Sequence, residues 1–593
     1  MEPHSHIVHN RRETIGFYVK NYVTMCLCGS SKFMTGLFVR SGYIIKKELY
    51  IAFLIGAVLQ LLVGISFGQD TIKRRTIDVT ATFKPVLREA AKINFNATPP
   101  ATDNAVPDLK YDIPNQNLAL GFQPGSLKPL ALQIDSGGRW DNNNYVKVGF
   151  GSLRTPFIQT GFSLGDGHTG GINIYAKHLS SDGIGLHDFS STNVKLSGFF
   201  LSAGNLGWDG GLEMKQDKTY KYGYLPTTLV FPKDSLKQSF NTYGGRLSFH
   251  NVNKTAYNIS YAPEVKINVF SDSRKNNESN TVVDLPLNKS FGKLFDVNLG
   301  VTFDLTRLSP EGKSAMNNTM YYLSPSVSFK TTNARIQAGI RPSWDNKQFK
   351  MFPNVLAEIS TEDSRFTFHA GWTGYIRKTT YQYLAAQNPW LWLPTSFKNT
   401  WIEERFAGFK GSVGDHFTYN AKVGYNKLNN QPLFVNDTAT AGGGKSFHVV
   451  NEPTIKVLNL GGEFGINVQE KFSLLTGLTF NQYTGLVKNA KAWGLIPLEL
   501  NMAMRLLVLK DLWLKTDLYA WSGPQYMKKN GSAGKLGGAM DLNAGLEFRI
   551  TKYLRLWTQF NNILNKEYQR WNQYPVYGFN FTGGVVFSFD QKN

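Results

Sequence analysis

From about residue 143 to the C-terminus, apolar and polar positions alternate in runs of roughly 9–15 residues. The closing run, "GFNFTGGVVFSF" (578–589), places Phe579, Phe581, Gly583, Val585, Phe587 and Phe589 in one register. Gly578, Asn580, Thr582, Gly584, Val586 and Ser588 take the other. A period of two predicts an extended strand with one oily and one polar face. "MDLNAGLEFRI" (540–550), "FTYNAKVGY" (417–425) and "LWLKTDLYAW" (512–521) repeat the rule.

The links between these runs alternate in length. Tight ones are predicted at 412–416, 467–471, 507–511 and 549–553. Longer ones are predicted at 429–445, 483–492, 524–537 and 564–575. Short turn, long loop, short turn is the rhythm of an outer-membrane barrel, and it extrapolates back to residue 143 as about 22 strands. A soluble sandwich gives no reason for that rhythm. Strand polar groups cannot stay unpaired in hydrocarbon, so the sheet must close on itself, last strand against first. The expected fold is therefore all-β: a closed antiparallel transmembrane barrel over 143–593. Its backbone diameter would be roughly 40–45 Å, a width that is normally plugged.

The residues before 143 read differently. Lys46 and Lys47 precede an apolar stretch, Leu49 to Phe67, and Ser66-Phe67-Gly68 is a small-x-small site. This pattern predicts a secretory signal cleaved near Gly68, with 1–68 comprising an N-terminal extension and the signal. Residues 69–142 hold much of the proline, including Pro99-Pro100, and one short helix candidate near Val86–Lys92. They read as a short, extended segment that is periplasmic or enters the lumen.

Composition adds exclusions. Both cysteines, Cys26 and Cys28, precede the cleavage site, which removes a disulfide framework and a thiolate metal site from the mature chain. The formal charge is +21, but the basic residues are scattered, against nucleic-acid binding. They suit anionic lipid head groups, anionic solutes, or solvated turns and a wet lumen.

Candidate chemistry is sparse. His168, His178 and His187 are close in sequence but form no ligand spacing, so no metal, cofactor or enzyme activity is expected. "KNNES" (275–279) reads as a solvated loop, and "ATAGGGKS" (439–446), without strand–helix context, as a flexible one. The segment 379–399, "TTYQYLAAQNPWLWLPTSFKN", offers Trp390 and Trp392 as ligand-stacking candidates. Tyr568, Arg570, Trp571 and Tyr574 are candidates of the same kind. The bland reading of all six is an aromatic girdle or a loop folded over the barrel mouth.

The run "FNNILNKEYQRWNQYPVYGFNFTGGVVFSF" (560–589) resembles the end of TonB-dependent receptor barrels. Asn562-Ile563-Leu564-Asn565-Lys566-Glu567-Tyr568 matches the family's segment after the penultimate strand. Phe589 matches its terminal aromatic, although Asp590–Asn593 follow. The resemblance implies that Phe589 is an assembly signal for the barrel assembly machinery. "TIDVTA" (Thr76, Ile77, Asp78, Val79, Thr80, Ala81) is similar to the short box that contacts a TonB-type periplasmic protein, with Asp78 atypical. The family's plug pattern is not recognisable in residues 69–142. The implied function is uptake of a solute across the outer membrane of a Gram-negative bacterium. The alternative is a non-transporting scaffold or subunit of an assembly, secretion or lipoprotein-partnered complex. Expected partners are outer-membrane lipid and, beyond the two proteins just named, a surface lipoprotein or a plug-forming protein.

Overall fold

The structure, a computed structural model, describes residues 143–590 apart from 184, 203, 364, 415, 438–441 and 469–470. The cleavage site, the candidate helix near 86–92, the 76–81 stretch and any plug lie outside the described residues.

Each wall strand pairs antiparallel with the next wall strand along the chain, and the ring closes where Asn143–Gly151 meets Asn580–Asp590. Ile259–Tyr261 and Glu264–Asp272 pair with the same partner, Asn277–Phe291, and form one strand broken at 262–263. Pro263, which has no N–H to donate, stands at the break. Counted so, the barrel has 22 strands. The architecture is the expected all-β closed barrel.

The alternation decides which wall each residue faces. On the last strand Phe581, Phe587 and Phe589 are exposed outward, whereas Asn580, Thr582 and Val586 are buried on the lumen side. Leu546 and Phe548 point out while Asp541 and Asn543 point in. The oily exterior is thus the lipid-facing belt of an outer-membrane barrel.

The two rims differ as the rhythm predicts. One carries short links, such as 292–294, 331–333 and 510–511, together with the start of the first strand and the end of the last. The other carries the long segments 221–236, 378–399, 437–446, 485–497, 522–538 and 562–579.

Three expectations need correction. The strand Phe417–Asn436 runs well into the predicted loop 429–445. Residues 431–436 are buried on both faces, because loops pack against each side above the lipid belt, and this erased the period of two. The KNNES segment is not a free loop: Glu278 lies in a strand and is 2% exposed. The glycines of 439–446 are tied in as well. Leu225 N–H donates to Gly443 O (2.9 Å) and Asn436 Nδ2 to Gly444 O (3.1 Å).

Candidate functional site: an aromatic canopy at the long-loop rim

The segment 378–399 is anchored at its base by polar side chains. Asn399 Oδ1 accepts from Thr379 N–H (2.8 Å), and Asn399 Nδ2 donates to Asn318 Oδ1 (2.8 Å) and Asp345 Oδ1 (2.7 Å). A short helix, Tyr381–Gln387, follows, capped by the Thr380 hydroxyl, which accepts from Tyr383 N–H (3.0 Å). Glu278 accepts from Tyr381 N–H (2.6 Å) and Gln382 N–H (2.9 Å), satisfying donors that a helix start leaves open. That duty explains why an acidic residue is buried there.

Beyond the helix the chain enters a hydrophobic core made by separate strand ends and loops. Phe240, Phe270, Leu308, Phe434 and Phe447 come from strands; Tyr381, Leu384, Trp390, Leu391, Trp571 and Tyr574 come from long loops. Trp390 stacks on Tyr574 with 3.7 Å between ring centroids and 19° between planes. Its indole N–H donates to Tyr220 O (3.0 Å). Tyr222 meets both rings edge-on, at 5.8 and 4.9 Å. Trp571 packs edge-on against Phe434 (5.0 Å) and Phe447 (5.5 Å). The loops form a packed canopy.

The six sequence candidates therefore part company. Trp390, Trp571 and Tyr574 are canopy core, the bland reading. Burial pushes the Tyr574 hydroxyl well above the usual phenol range. Tyr568 is turned to the wall: its hydroxyl donates to Asp541 Oδ2 (2.6 Å) and its ring meets Trp521 edge-on at 4.9 Å. Arg570 lies with its guanidinium carbon 4.3 Å from the Trp571 ring, and its Nε and Nη1 have no hydrogen-bond partner. Burial lowers its pKa to about 10, with Glu499 opposing the shift.

Trp392 is the exception. It is 39% exposed, against 2% for Trp390. Lys221 Nζ lies 4.8 Å and the Arg274 guanidinium carbon 5.5 Å from its ring, and His448 stacks on it at 6.3 Å. Lys221 is 1% exposed, and its ammonium donates to Ser446 Oγ (3.1 Å). Burial, then the charges of Arg274 and Lys445, lower the Lys221 pKa to about 7. Asp272 and Asp437 offset this only in part. Lys221 and Arg274, from two different loops, thus lie over one accessible indole, with Lys445 close enough to act on the Lys221 charge, a chemistry suited to an anion carrying a flat or apolar part. Sequence reading missed Lys221, Arg274, Lys445 and His448, whose proximity exists only once the loops fold together.

The histidines are placed without common function. His178 Nδ1 is 2.8 Å from Thr192 Oγ1, and His187 stacks on Tyr222 at 3.9 Å. Among the described residues no group of three His, Cys, Asp or Glu side chains could hold a metal ion.

The C-terminal motif has a physical basis. Asn562 and Asn565 both adopt left-handed backbone, φ 46° and 48°, which asparagine tolerates better than most residues. Asn562 Nδ2 donates to Lys566 O (2.8 Å) and Tyr577 O (2.7 Å), and Phe579 N–H donates to Asn565 Oδ1 (2.8 Å). The pair fixes where the last long loop leaves and re-enters the barrel.

A closed 22-strand barrel with tight links on one rim and a loop canopy on the other defines the class of large outer-membrane β-barrels. Among solved structures, the chain is similar to the FrpB iron transporter from Neisseria meningitidis, F5-1 variant. The TM-score is 0.59 and the identity 8%, over 76% of this chain and 83% of that chain. It is similar to the siderophore receptor PirA from Acinetobacter baumannii, with TM-score 0.58 and 10% identity over 75% and 80%. It also resembles a mutant of the ferric enterobactin receptor PfeA from Pseudomonas aeruginosa, with TM-score 0.56 and 11% identity over 75% and 80%. These neighbours are receptors and transporters, and at such identities the likeness is one of fold. The resemblance to TonB-dependent receptors read from residues 560–589 thus has its counterpart in the barrel. No protein-family model and no curated protein matches the chain.

Proposed function

We propose that this chain is a TonB-dependent-receptor-like barrel of a Gram-negative outer membrane, taking up a negatively charged solute captured at its long-loop rim. It acts as a non-enzymatic receptor. The observation that carries the reading is the 22-strand barrel whose loop canopy leaves Trp392 accessible beside Lys221 and Arg274. Two of the similar structures are a ferric enterobactin receptor and a siderophore receptor, and an anionic metal chelate is a solute of fitting charge. In this reading Thr76–Ala81 contacts the TonB-type energy-coupling protein and Phe589 is read during barrel assembly. Any lipoprotein or plug-forming partner would join at the rim or lumen.

The test is uptake in cells. Deleting residues 76–81 should abolish accumulation of the solute while leaving surface binding intact. Exchanging Trp392, Lys221 and Arg274 together for alanine should abolish binding itself. Unchanged accumulation in both variants, with the barrel present at normal level, would sink the proposal.

A further inference from the structure

Outside the canopy, one feature of the lipid-facing wall stands apart. Lys427 and Lys456 are direct cross-strand partners. Both are exposed, and both flank buried lumen-side neighbours: Asn426 and Leu428 for one, Ile455 and Val457 for the other. They therefore point outward. Like charges directly opposite each other on a sheet destabilise it. Among the described residues neither ammonium has an ion-pair partner. Glu403, in register with Lys427, is already engaged by Trp372 Nε1 (2.9 Å) and Arg405 Nη2 (3.0 Å). Arg405 adds a third outward cation, 61% exposed, in register with Tyr425.

Their height on the wall is as telling as their charge. Lys427 stands about ten residues beyond Phe417, where its strand leaves the tight-link rim. At about 3.3 Å per residue and a tilt near 40°, that is ~25 Å up the wall, the height of the apolar band of such barrels. Below the cations the outward surface is apolar: Val423 and Tyr425 on one strand, Leu458 and Leu460 on the next. Trp372 and Tyr425, both outward and exposed, sit at the same level, where interfacial aromatics belong. The cluster thus lies where the oily belt ends on the long-loop side.

We propose that Lys427, Lys456 and Arg405 form a binding site for the phosphate of a phosphorylated lipid in the outward-facing leaflet. The phosphate bridges the two lysines, and the acyl chains lie on Val423, Leu458 and Leu460 beneath. A phosphate between the ammoniums replaces their repulsion by two charge-assisted contacts. The apolar wall directly below selects a lipid over a free anion. This inference rests on the barrel spanning an outer membrane and is independent of what the barrel transports.

The full-length protein, purified in neutral detergent, is titrated with lipid A, a bisphosphorylated glycolipid, and bound lipid is counted by native mass spectrometry. Parallel titrations use inorganic phosphate and phosphatidylcholine. Wild type should retain lipid A. Lys427→Gln with Lys456→Gln should weaken retention by about tenfold or more, as loss of charge-assisted contacts implies. Arginine at both positions should preserve it. Heat-modifiable electrophoretic migration checks that each variant is a folded barrel. Equal lipid A retention in the double glutamine variant overturns the proposal. So does equal binding of inorganic phosphate, or phosphatidylcholine retention that matches lipid A.

Discussion

Gly149 and Gly584 face each other across the seam between the first and last strands, and the Trp557 ring lies over Gly149. A Cβ on Gly584 would come 2.0 Å from Val148 O, and one on Gly149 would come 2.5 Å from the Trp557 ring. The Trp557 indole donates to Val148 O (3.2 Å), so the ring is held where it leaves no room. Closure of the ring therefore depends on two missing side chains. Gly584→Val should prevent the seam from forming, since the obstacle is backbone and cannot swing aside. Heat-modifiable migration of membrane-extracted protein measures it: the variant should lose the compact band that wild type shows. A normal compact band would show that the seam tolerates a side chain.

The canopy predicts a different phenotype. Trp390 is enclosed by Tyr574, Tyr222 and the loop backbone. Trp390→Ala should cost the canopy about 3–5 kcal/mol, the range for removing a buried large aromatic. The barrel wall makes its own hydrogen bonds and should survive. Limited proteolysis of outer-membrane vesicles should then cut within 378–399 in the variant and not in wild type, with the compact barrel band retained.

How far the sequence could be read follows from where its periodicity holds. In 578–589 and 540–550 one face meets lipid and the other the polar lumen side, so Phe581 and Asn580 face opposite environments and the alternation is sharp. At 431–436 both faces are covered by loops, so Leu433, Phe434 and Val435 are all buried and the alternation vanishes. The strand there was accordingly missed. Trp390 and Trp392 are two residues apart and identical in type, and only the stacking partner Tyr574, far along the chain, separates core from accessible surface. The cations around Trp392 were illegible for the same reason. They come from the segments 221–236 and 273–276, and no local pattern records that these converge.

The C-terminal motif gives a prediction about two asparagines that look equivalent in sequence. Asn562 is 4% exposed and its side chain bonds Lys566 and Tyr577, whereas Asn565 accepts one bond, from Phe579 N–H. Glycine fits the left-handed backbone at both positions, so each substitution removes only side-chain contacts. Asn562→Gly should cost about 2–3 kcal/mol and Asn565→Gly about 1 kcal/mol or less. Urea unfolding of the refolded barrel should rank them in that order. The reverse order would mean that the loop is anchored from its other end.

Lys221 makes the canopy pH-sensitive. Its folded pKa, about 7, lies below the ordinary lysine value of about 10.4. Between those values the unfolded chain holds the proton more firmly than the folded one, so folded stability rises with pH across that window. Below about pH 7 the cost of burying the charged ammonium is fully present. An anion beside Trp392 favours the protonated form, so its capture should tighten on the acid side of pH 7 and weaken on the alkaline side. The local reporter is Trp392, whose ring lies 4.8 Å from the ammonium. Wild-type emission minus that of Lys221→Met should titrate with a midpoint near 7, and the signal should vanish in a Trp392→Phe background. A difference spectrum that stays flat from about pH 5.5 to 9 would place the Lys221 pKa outside that window and remove the proton linkage to solute capture.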